Sequence, residues 1–221
     1  MSSNRIHSDA PLQNQTESST SNLFRRYQLL IEYKNLRSSN SCPTGVYVIP
    51  DIDNLYLWHG TIFLHRGHYK EGVFKFYIEI PDSYPEQIPI VRFITDMFHP
   101  LIDRDGYFNL GQQFIRWRPY KDFICHILHY IKNSFRESTM CSLEEPTCFN
   151  VEAIRMFKNE KQYFSKLAAQ CAQLSSSEPI LFDKDSNHLM TFTPIDDSQF
   201  AHIQSLLYES VGHKAQPVTE T

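Results

Sequence analysis

The sequence predicts an α+β fold, in which one helix is followed by a four-stranded antiparallel meander and then by further helices. Apolar residues recur at helical spacing near the N-terminus, and four short segments rich in β-branched and aromatic residues come next. A helical pattern returns after Pro119. Of the 221 residues, 41% are hydrophobic and 14% are aromatic, which is enough to form a packed core.

The N-terminal part is expected to contain a tail and then a helix. Residues 1–21 are rich in Ser, Asn, Gln and Thr and contain few apolar residues, which is typical of a disordered tail. Residues 22–39 are predicted to be helical, with Asn22 as the N-cap. Five apolar residues share one face of this helix, namely Leu23, Phe24, Tyr27, Leu30 and Ile31.

Four strand signals follow, at residues 46–49, 56–64, 73–80 and 90–94. The segments 51–54 and 65–72 are predicted to be the turns between the first three strands, so consecutive strands should pair in an antiparallel manner. Pro81, Pro85 and Pro89 interrupt the third connection, where they exclude a central strand.

The second half of the chain is predicted to be helical. Six apolar residues after Pro119 form a stripe that can cover one face of the meander: Phe123, Ile124, Ile127, Leu128, Ile131 and Phe135. Residues 136–149 are expected to be a connection. Residues 150–174 carry more helix, with Ile154, Phe157, Phe164 and Leu167 as core candidates.

A C-terminal extension is predicted from residue 176 to residue 221, because Ser175 to Pro179 interrupts the helical pattern. Asp196-Asp197-Ser198 is a helix-start signal. An amphipathic helix should follow, with the partner-binding candidates Phe200, Ile203, Leu206, Leu207 and Val211 on its apolar face. Periodicity does not decide whether this face packs on a partner or on the domain itself.

A long loop lies between the strands and the later helices, and it contains His99-Pro100-Leu101 and Trp117-x-Pro119. This stretch resembles the active-site segment of the ubiquitin-conjugating (E2) family. There, His-Pro-Asn is followed after eight residues by the catalytic Cys, and Trp-x-Pro lies eight residues further on. The same spacing occurs here, but Leu101 stands at the Asn position and Asn109 at the Cys position.

The resemblance extends upstream and covers roughly residues 22–175, which are therefore expected to form a UBC-like (E2 core) domain. The supporting motifs, in the family's order, are Tyr69-x-x-Gly72-Val73-Phe74, Ile80-Pro81-x-x-Tyr84-Pro85, Pro89-x-Val91-x-Phe93 and His99-Pro100. An ordered series of motifs is more specific than any one of them.

The two substitutions imply that the chain is a catalytically inactive member of the family. The family's reaction needs a thiolate that accepts ubiquitin as a thioester, and the carboxamide of Asn109 has no ionisable nucleophile. Leu101 cannot donate the hydrogen bond that the family's Asn is thought to supply to the oxyanion. His99, Pro100, Trp117 and Pro119 are then interpreted as framework residues.

Other cysteines do not occupy the catalytic position. Cys125, Cys141 and Cys148 lie further along the chain, and buried cysteines usually behave as small hydrophobic residues. A displaced nucleophile is the alternative. The five cysteines are odd in number and scattered, which favours reduced thiols of the cytoplasm or nucleus over a disulfide framework.

Further motifs narrow the resemblance: Gly45-Val46-Tyr47-Val48-x-Pro50, Arg66-x-Gly-x-Tyr69-x-x-Gly72-Val73-Phe74-Lys75-Phe76, Phe98-His99-Pro100-Leu101-x-Asp103, Trp117-Arg118, and Leu181-Phe182-Asp183 with Phe192-Thr193-Pro194 in the extension. With these motifs the chain most resembles the fused-toes (AKT-interacting) subfamily, which includes the crossbronx proteins and in which Leu follows His-Pro. The resemblance implies an adaptor that binds Hook-type coiled-coil proteins and links endosomal vesicles to microtubule transport. The alternative is a UEV-like accessory subunit that holds ubiquitin for an active E2. Glu86, where many E2s have an apolar residue, argues against direct docking of a ubiquitin ligase.

Several function classes are disfavoured by composition. A net charge of −4 argues against nucleic-acid binding, despite the local group of Arg116, Arg118 and Lys121. The sequence has no apolar run long enough for a transmembrane helix, so direct insertion into a membrane is not predicted. The pairs His65/His68 and His126/His129 lack a third ligand, so no metal site and no cofactor are predicted.

Overall fold

The computed structural model of the chain describes residues 13–38, 41–183 and 187–210. Its elements follow the predicted order of one helix, four strands and then a series of helices. In chain order they are α1 (Gln13–Leu36), β1 (Val46–Pro50), β2 (Leu57–Leu64), β3 (Gly72–Glu79), β4 (Ile90–Phe93), α2 (Ile124–Ser134), α3 (Glu137–Cys141), a 3₁₀ helix (Glu145–Thr147), α4 (Val151–Asn159), α5 (Lys161–Ser175), α6 (Glu178–Leu181) and α7 (Asp197–Ser210).

The four strands form one antiparallel sheet in the order β1-β2-β3-β4. Val46 is opposite Ile62, and Phe76 is opposite both Gly60 and Phe93 on the two neighbouring strands. Each strand lies within one residue of its predicted limits. The prediction of a four-stranded antiparallel meander is therefore confirmed, and so is the α+β class.

The apolar stripe of α2 is buried as predicted. Ile124, Ile127, Leu128 and Ile131 have no exposed surface, and Phe135 at the end of the helix is also buried. The large side chains of the sheet, among them Trp58, Phe74 and Phe76, belong to the same core. Phe123, the first residue of the predicted stripe, is only partly buried because it precedes the helix as its N-cap.

Helices α4 and α5 complete the core, with one correction. Ile154, Phe157 and Phe164 are buried as predicted, but Leu167 is exposed. The face of α5 that packs against β3 consists of Phe164, Ala168 and Ala172, spaced four residues apart. Leu167 lies beside this row and is 36% exposed, whereas the positions that follow Phe164 in the buried row carry the small side chains of Ala168 and Ala172.

The prediction that the first helix begins at Asn22 was wrong. Helix α1 begins at Gln13, because the segment from Gln13 to Leu36 contains no Gly or Pro that would interrupt it. The predicted disordered tail therefore overlaps with α1 at residues 13–21, and its remaining part, 1–12, lies outside the described residues. Asn22 is an internal residue of α1 whose side-chain oxygen accepts a 2.6 Å hydrogen bond from the Tyr56 hydroxyl.

The predicted apolar face of α1 is exposed to solvent. Its five residues are between 49% and 59% exposed, whereas Leu29, Glu32 and Leu36 are buried and the ring of Tyr33 packs on Trp58 at 5.7 Å. At this contact Leu29 and Leu36 bury apolar surface, and the buried carboxylate of Glu32 has polar partners. Periodicity identified an apolar face of α1, but a second row of residues makes the contact.

The extension contains the predicted helix. Helix α7 begins at Asp197, and the side chain of Asp196 accepts a 2.8 Å hydrogen bond from the backbone N–H of Gln199, as an N-cap does. Val211, which was assigned to the apolar face, lies outside the described residues, as does the predicted disordered end at 213–221. The connection 136–149 contains the short helix α3 and a 3₁₀ turn.

No helix within the described residues is long and apolar enough to cross a membrane.

Candidate functional site

The loop between β4 and α2 folds back on the sheet through a tight turn. Asp103 accepts hydrogen bonds from the backbone N–H groups of Asp105 (2.9 Å) and Tyr107 (2.8 Å). Gly106 has φ of 86°, and a Cβ at this position would lie 2.1 Å from the carbonyl oxygen of Phe93. Since only glycine allows this approach, the turn is fixed against β4, and residues 99–109 are held over the core.

His99 joins this loop to α2 from inside the core. Its side chain is fully buried, with Nδ1 accepting from the backbone N–H of Leu101 (3.1 Å) and Nε2 donating to the carbonyl of Ser134 (3.2 Å). Burial lowers the pKa of His99 to about 4. Both ring nitrogens are occupied, so His99 joins the loop to α2 as a neutral imidazole.

The two positions that the resemblance assigns to the family's catalytic residues contact each other through the backbone. The N–H of Asn109 donates to the carbonyl of Leu101 at 2.8 Å. The side chain of Leu101 is fully buried in the core, where it has no polar group to offer. The side chain at position 101 therefore donates no hydrogen bond.

The carboxamide of Asn109 is engaged at both ends. Its Nδ2 donates to the carbonyl of Thr147 at 2.8 Å, and its Oδ1 accepts from the backbone N–H of Gly111 at 2.9 Å. Asn109 thus joins the loop to the 3₁₀ segment and closes its own turn. The side chain that stands where a nucleophile is expected acts here as a cross-link between two loops.

Trp117 connects the end of the loop to the segment after β3. Its indole N–H donates to the carbonyl of Pro85 at 2.7 Å, and its ring lies 5.5 Å from that of Phe114. Pro119 is exposed at the turn before α2. The carboxylate of Asp122 bonds the backbone and the guanidinium of Arg118, which lowers the pKa of Asp122. These contacts hold the end of the loop in place, and a framework role for Trp117 and Pro119 stays a prediction.

The cysteine that follows Thr147 lies next to the Asn109 contact in the chain. Cys148 is buried, its thiol donates to the carbonyl of Glu144 at 3.3 Å, and burial raises its pKa. Burial likewise raises the pKa of the Cys42 and Cys125 thiols. A raised pKa reduces the thiolate fraction at neutral pH, and thiolate is the reactive form.

Metal ligands are not clustered in the described part of the chain, where no group of three or more His, Cys, Asp or Glu side chains converges. His126 accepts a 3.1 Å hydrogen bond from the backbone N–H of Phe123, and His68 packs against Phe157 and Phe164. Both histidines thus have ordinary structural contacts.

Sequence reasoning missed a strap, residues 188–192 of the extension, which lies on the outer face of the sheet. The N–H of Leu189 donates to Nδ1 of His59 at 3.1 Å, and Nε2 of His59 donates to Asp51 at 2.8 Å. The ring of His188 is buried 5.0 Å from that of His59. Phe192 packs edge-to-face on Phe63 at 5.9 Å.

The strap has no periodicity, so no pattern could have predicted its position. Two signals were available. One is the short run His188-Leu189-Met190, and the other is the pair His59 and Tyr77 on the adjacent strands β2 and β3, which faces it. Together the strap and strands β1 and β2 enclose a cleft of about 610 Å³. The outer face of the sheet is thus partly covered by the chain's own extension.

Helix α7 presents the predicted apolar residues to solvent. Phe200, Ile203, Leu206 and Leu207 are between 45% and 61% exposed, and Tyr208 beside them is 46% exposed. A contiguous exposed apolar surface of this kind is typical of an interaction site. The fifth predicted residue, Val211, lies outside the described residues.

Comparisons with a family profile and with individual proteins identify the same family. The sequence profile of the ubiquitin-conjugating enzyme family matches residues 28–172. An AKT-interacting protein of Danio rerio is 31% identical over 210 residues, which are 92% of this chain and 67% of that protein. A crossbronx homolog of Anopheles gambiae is 30% identical over 164 residues, covering 73% of this chain and 70% of that protein.

A more distant animal gives the same result. An AKTIP homolog of Nematostella vectensis is 29% identical over 189 residues, which are 85% of this chain and 61% of that protein. The chain thus spans about three fifths of the length of this relative.

Proposed function

The chain belongs to the ubiquitin-conjugating enzyme family, in the group of the AKT-interacting and crossbronx proteins, and from this premise we propose that it is a catalytically inactive E2-like adaptor. The observation that carries the proposal is the state of Asn109. Both ends of its carboxamide are hydrogen-bonded to backbone, so it has neither a nucleophile nor the freedom of a catalytic side chain.

Leu101 supports the same proposal independently. An oxyanion donor is typically worth about 10²–10³ in rate, and a buried leucine contributes none of this. The neutral His99, with both nitrogens engaged, is not available as a base. Under this proposal, the side chains of Leu101, Asn109 and His99 stabilise the fold and take no part in a reaction.

A ubiquitin-charging assay tests inactivity. The full chain is incubated with ubiquitin-activating enzyme, ATP and ubiquitin, beside an active E2 as positive control. We expect no adduct that dithiothreitol removes. Each of the five cysteines is replaced by serine in turn, beginning with Cys148. A reducible adduct that disappears in one of these variants would overturn the proposal and identify that cysteine as a displaced nucleophile.

We propose that the adaptor binds a Hook-type coiled-coil protein through α7 and so acts in endosomal vesicle transport, as the fused-toes resemblance implies. The support is the exposed apolar face of α7, which suits docking against a partner helix. A cytoplasmic location on endosomes follows from this function, and a nuclear location is the alternative.

Affinity purification with point variants tests the adaptor. Phe200→Glu with Leu207→Glu places two charges on the apolar face of α7. Ser198→Glu with His202→Glu places two on the opposite, polar side, where both residues are exposed, and is the matched control. We expect Hook-type proteins with the full chain and the control, and their loss with the apolar-face variant. Equal recovery with both variants would contradict a role for α7.

A UEV-like accessory subunit of ubiquitin conjugation is the second candidate. The family match over residues 28–172 favours it, since the whole domain frame is retained. The strap argues against ubiquitin on the outer sheet face, because residues 188–192 occupy part of that surface. Titrating ¹⁵N-labelled ubiquitin with the full chain decides between the two, since an accessory subunit must shift ubiquitin resonances and an adaptor of the first kind leaves them unchanged.

A further inference from the structure

A groove of about 800 Å³ runs along the exposed side of α2, between the loop at residues 113–118 and α3. Its walls carry three guanidinium groups, from Arg116, Arg118 and Arg136. We refer to it as the α2 groove. It lies apart from the strap on the outer sheet face and from α7, and neither proposed function uses it.

The α2 groove is cationic although the chain as a whole has a net charge of −4. Among the described residues that line it, Asp122 is the one carboxylate, and it is paired with Arg118 at 2.6 Å. Arg116 and Arg136 line the groove without an ion pair in the described part of the chain. Two guanidinium charges are therefore uncompensated there, which attracts an anion.

Neutral hydrogen-bonding groups stand beside these charges. Asn133, Ser138 and Thr139 line the same groove, and His126 and His129 project from α2 into its rim. A phosphate monoester has close to two negative charges and three acceptor oxygens. It can therefore use two guanidinium forks and neutral donors together, whereas a carboxylate has only two oxygens for them.

The size of the groove indicates that the phosphate is attached to a larger molecule, since an inorganic ion would fill only a small part of it. Phe114 forms an apolar wall against Tyr130, and Ile115 on the rim is 91% exposed. These residues can contact apolar side chains on either side of a phosphorylated residue. A membrane surface would instead need several apolar residues projecting in one plane, and Ile115 is a single one.

We propose that the α2 groove binds a phosphoserine or phosphothreonine of a protein partner, with Arg116 and Arg136 contacting the phosphate. This site is separate from the apolar face of α7, so a partner can be held by α7 and, when phosphorylated, also by α2. The proposal goes beyond the adaptor function and does not depend on it.

The probe is a degenerate peptide library with phosphoserine or phosphothreonine at the centre and three randomised positions on each side. The labelled full chain is applied to the immobilised library and to its unphosphorylated copy. The dissociation constant of the best phosphorylated peptide is then measured by fluorescence anisotropy. We expect it to bind at least about tenfold more tightly than its unphosphorylated form, a difference that one or two charge-assisted hydrogen bonds supply.

Matched variants locate the site. Arg116→Ala and Arg136→Ala replace exposed residues without ion pairs, so the fold should be retained, and each should weaken the phosphopeptide by about tenfold. Arg66→Ala, an exposed arginine on the β2–β3 turn, is the control with equal loss of charge. Thermal unfolding of all three variants checks that they remain folded.

Three results would overturn the proposal. The first is a library without phosphate-dependent binding. The second is equal binding by the Arg116, Arg136 and Arg66 variants, which would place the phosphate elsewhere. The third concerns two other probes, phosphatidylcholine vesicles with 5% phosphatidylinositol bisphosphate and a single-stranded oligonucleotide. If either displaces the best peptide and binds with a lower dissociation constant, the groove is assigned to a membrane or a nucleic acid.

Discussion

The hydroxyl of Tyr84 donates a 2.5 Å hydrogen bond to the carboxylate of Glu32, although 52 positions separate the two residues. The other oxygen of Glu32 accepts from the backbone N–H of Ile124 at 2.9 Å. One buried carboxylate therefore connects α1, the loop after β3 and the first turn of α2. Burial raises the pKa of Glu32, and these two hydrogen bonds oppose that rise by stabilising the ionised form.

We predict that Glu32→Ala and Tyr84→Phe each lower the free energy of unfolding by about 1.5–3 kcal/mol, because each removes a hydrogen bond to a buried charged group. The double variant should cost less than the sum of the two, since both single changes break the same bond. Urea unfolding of the four proteins gives the coupling free energy. Glu79→Ala, at an exposed carboxylate, is the control. If the losses of unfolding free energy in Glu32→Ala and Tyr84→Phe are fully additive in the double variant, the hydrogen bond between the two residues does not contribute as proposed.

His99 should make stability depend on pH. Burial lowers its pKa to about 4, whereas an unfolded histidine titrates near about 6.5. The unfolded state therefore binds the proton more readily. The contribution is fully present above pH 6.5 and is lost as the pH falls to about 4, by about 3 kcal/mol in all.

The measurement compares wild type and His99→Gln by urea unfolding between pH 7.5 and pH 4. The variant should lose less stability than wild type over this range, whatever its stability at neutral pH. His202→Gln, at an exposed histidine, should keep the wild-type slope. If His99→Gln also keeps that slope, the buried neutral imidazole is not the titrating group.

Asn109 should contribute to stability as a cross-link. Asn109→Ala removes the hydrogen bonds to Thr147 and Gly111, so we expect the free energy of unfolding to fall by about 2 kcal/mol. Gln170→Ala, on the exposed side of α5, should change it by less than about 0.5 kcal/mol. Chemical denaturation tests both, and equal effects would mean that the Asn109 carboxamide is not held by those bonds.

The strap should be anchored by Phe192 and loosened by acid. Phe192→Ala removes the contact with Phe63, so amide exchange at residues 188–192 should become faster, while Phe200→Ala on α7 should leave it unchanged. Burial lowers the pKa of His188, hence the bound strap favours neutral His188. Its closure is complete above pH 6.5 and weakens as the pH falls below that value.

Hydrogen–deuterium exchange at pH 7.5 and pH 5.5, corrected for intrinsic rates, measures this change. His188→Gln should reduce the difference between the two pH values. His59 and Tyr77 are titratable groups whose rings face His188, at 5.0 and 5.5 Å, and Lys75 lies close enough to disfavour its protonation. A strap whose corrected exchange is the same at both pH values would contradict the histidine contribution.

The strands and α2 could be predicted from sequence because a local signal determines each of them. β-branched and aromatic runs with turn residues between them are short-range features, and the stripe from Ile124 to Ile131 fills one helix face. The beginning of α1 could not be predicted in the same way. Between Gln13 and Leu36 no residue stops a helix, so composition alone suggested a tail where the helix continues.

The site illustrates a second limit. The motif spacing singled out Leu101 and Asn109, but their contacts depend on partners distant in sequence, such as the carbonyl of Thr147. The buried role of Glu32 was hidden because a charged residue on a helix is usually exposed. The strap was missed since an extended segment without periodicity gains its place only from the sheet beneath it.

The burial of Leu101 has a further consequence for the inactive site that we propose. A cysteine introduced at position 109 would supply a thiol but not the hydrogen-bond donor. An asparagine at position 101 would replace a fully buried leucine with a polar amide, at a cost of about 2–4 kcal/mol. Under this proposal, installing thioester chemistry in the loop would weaken the core beneath it.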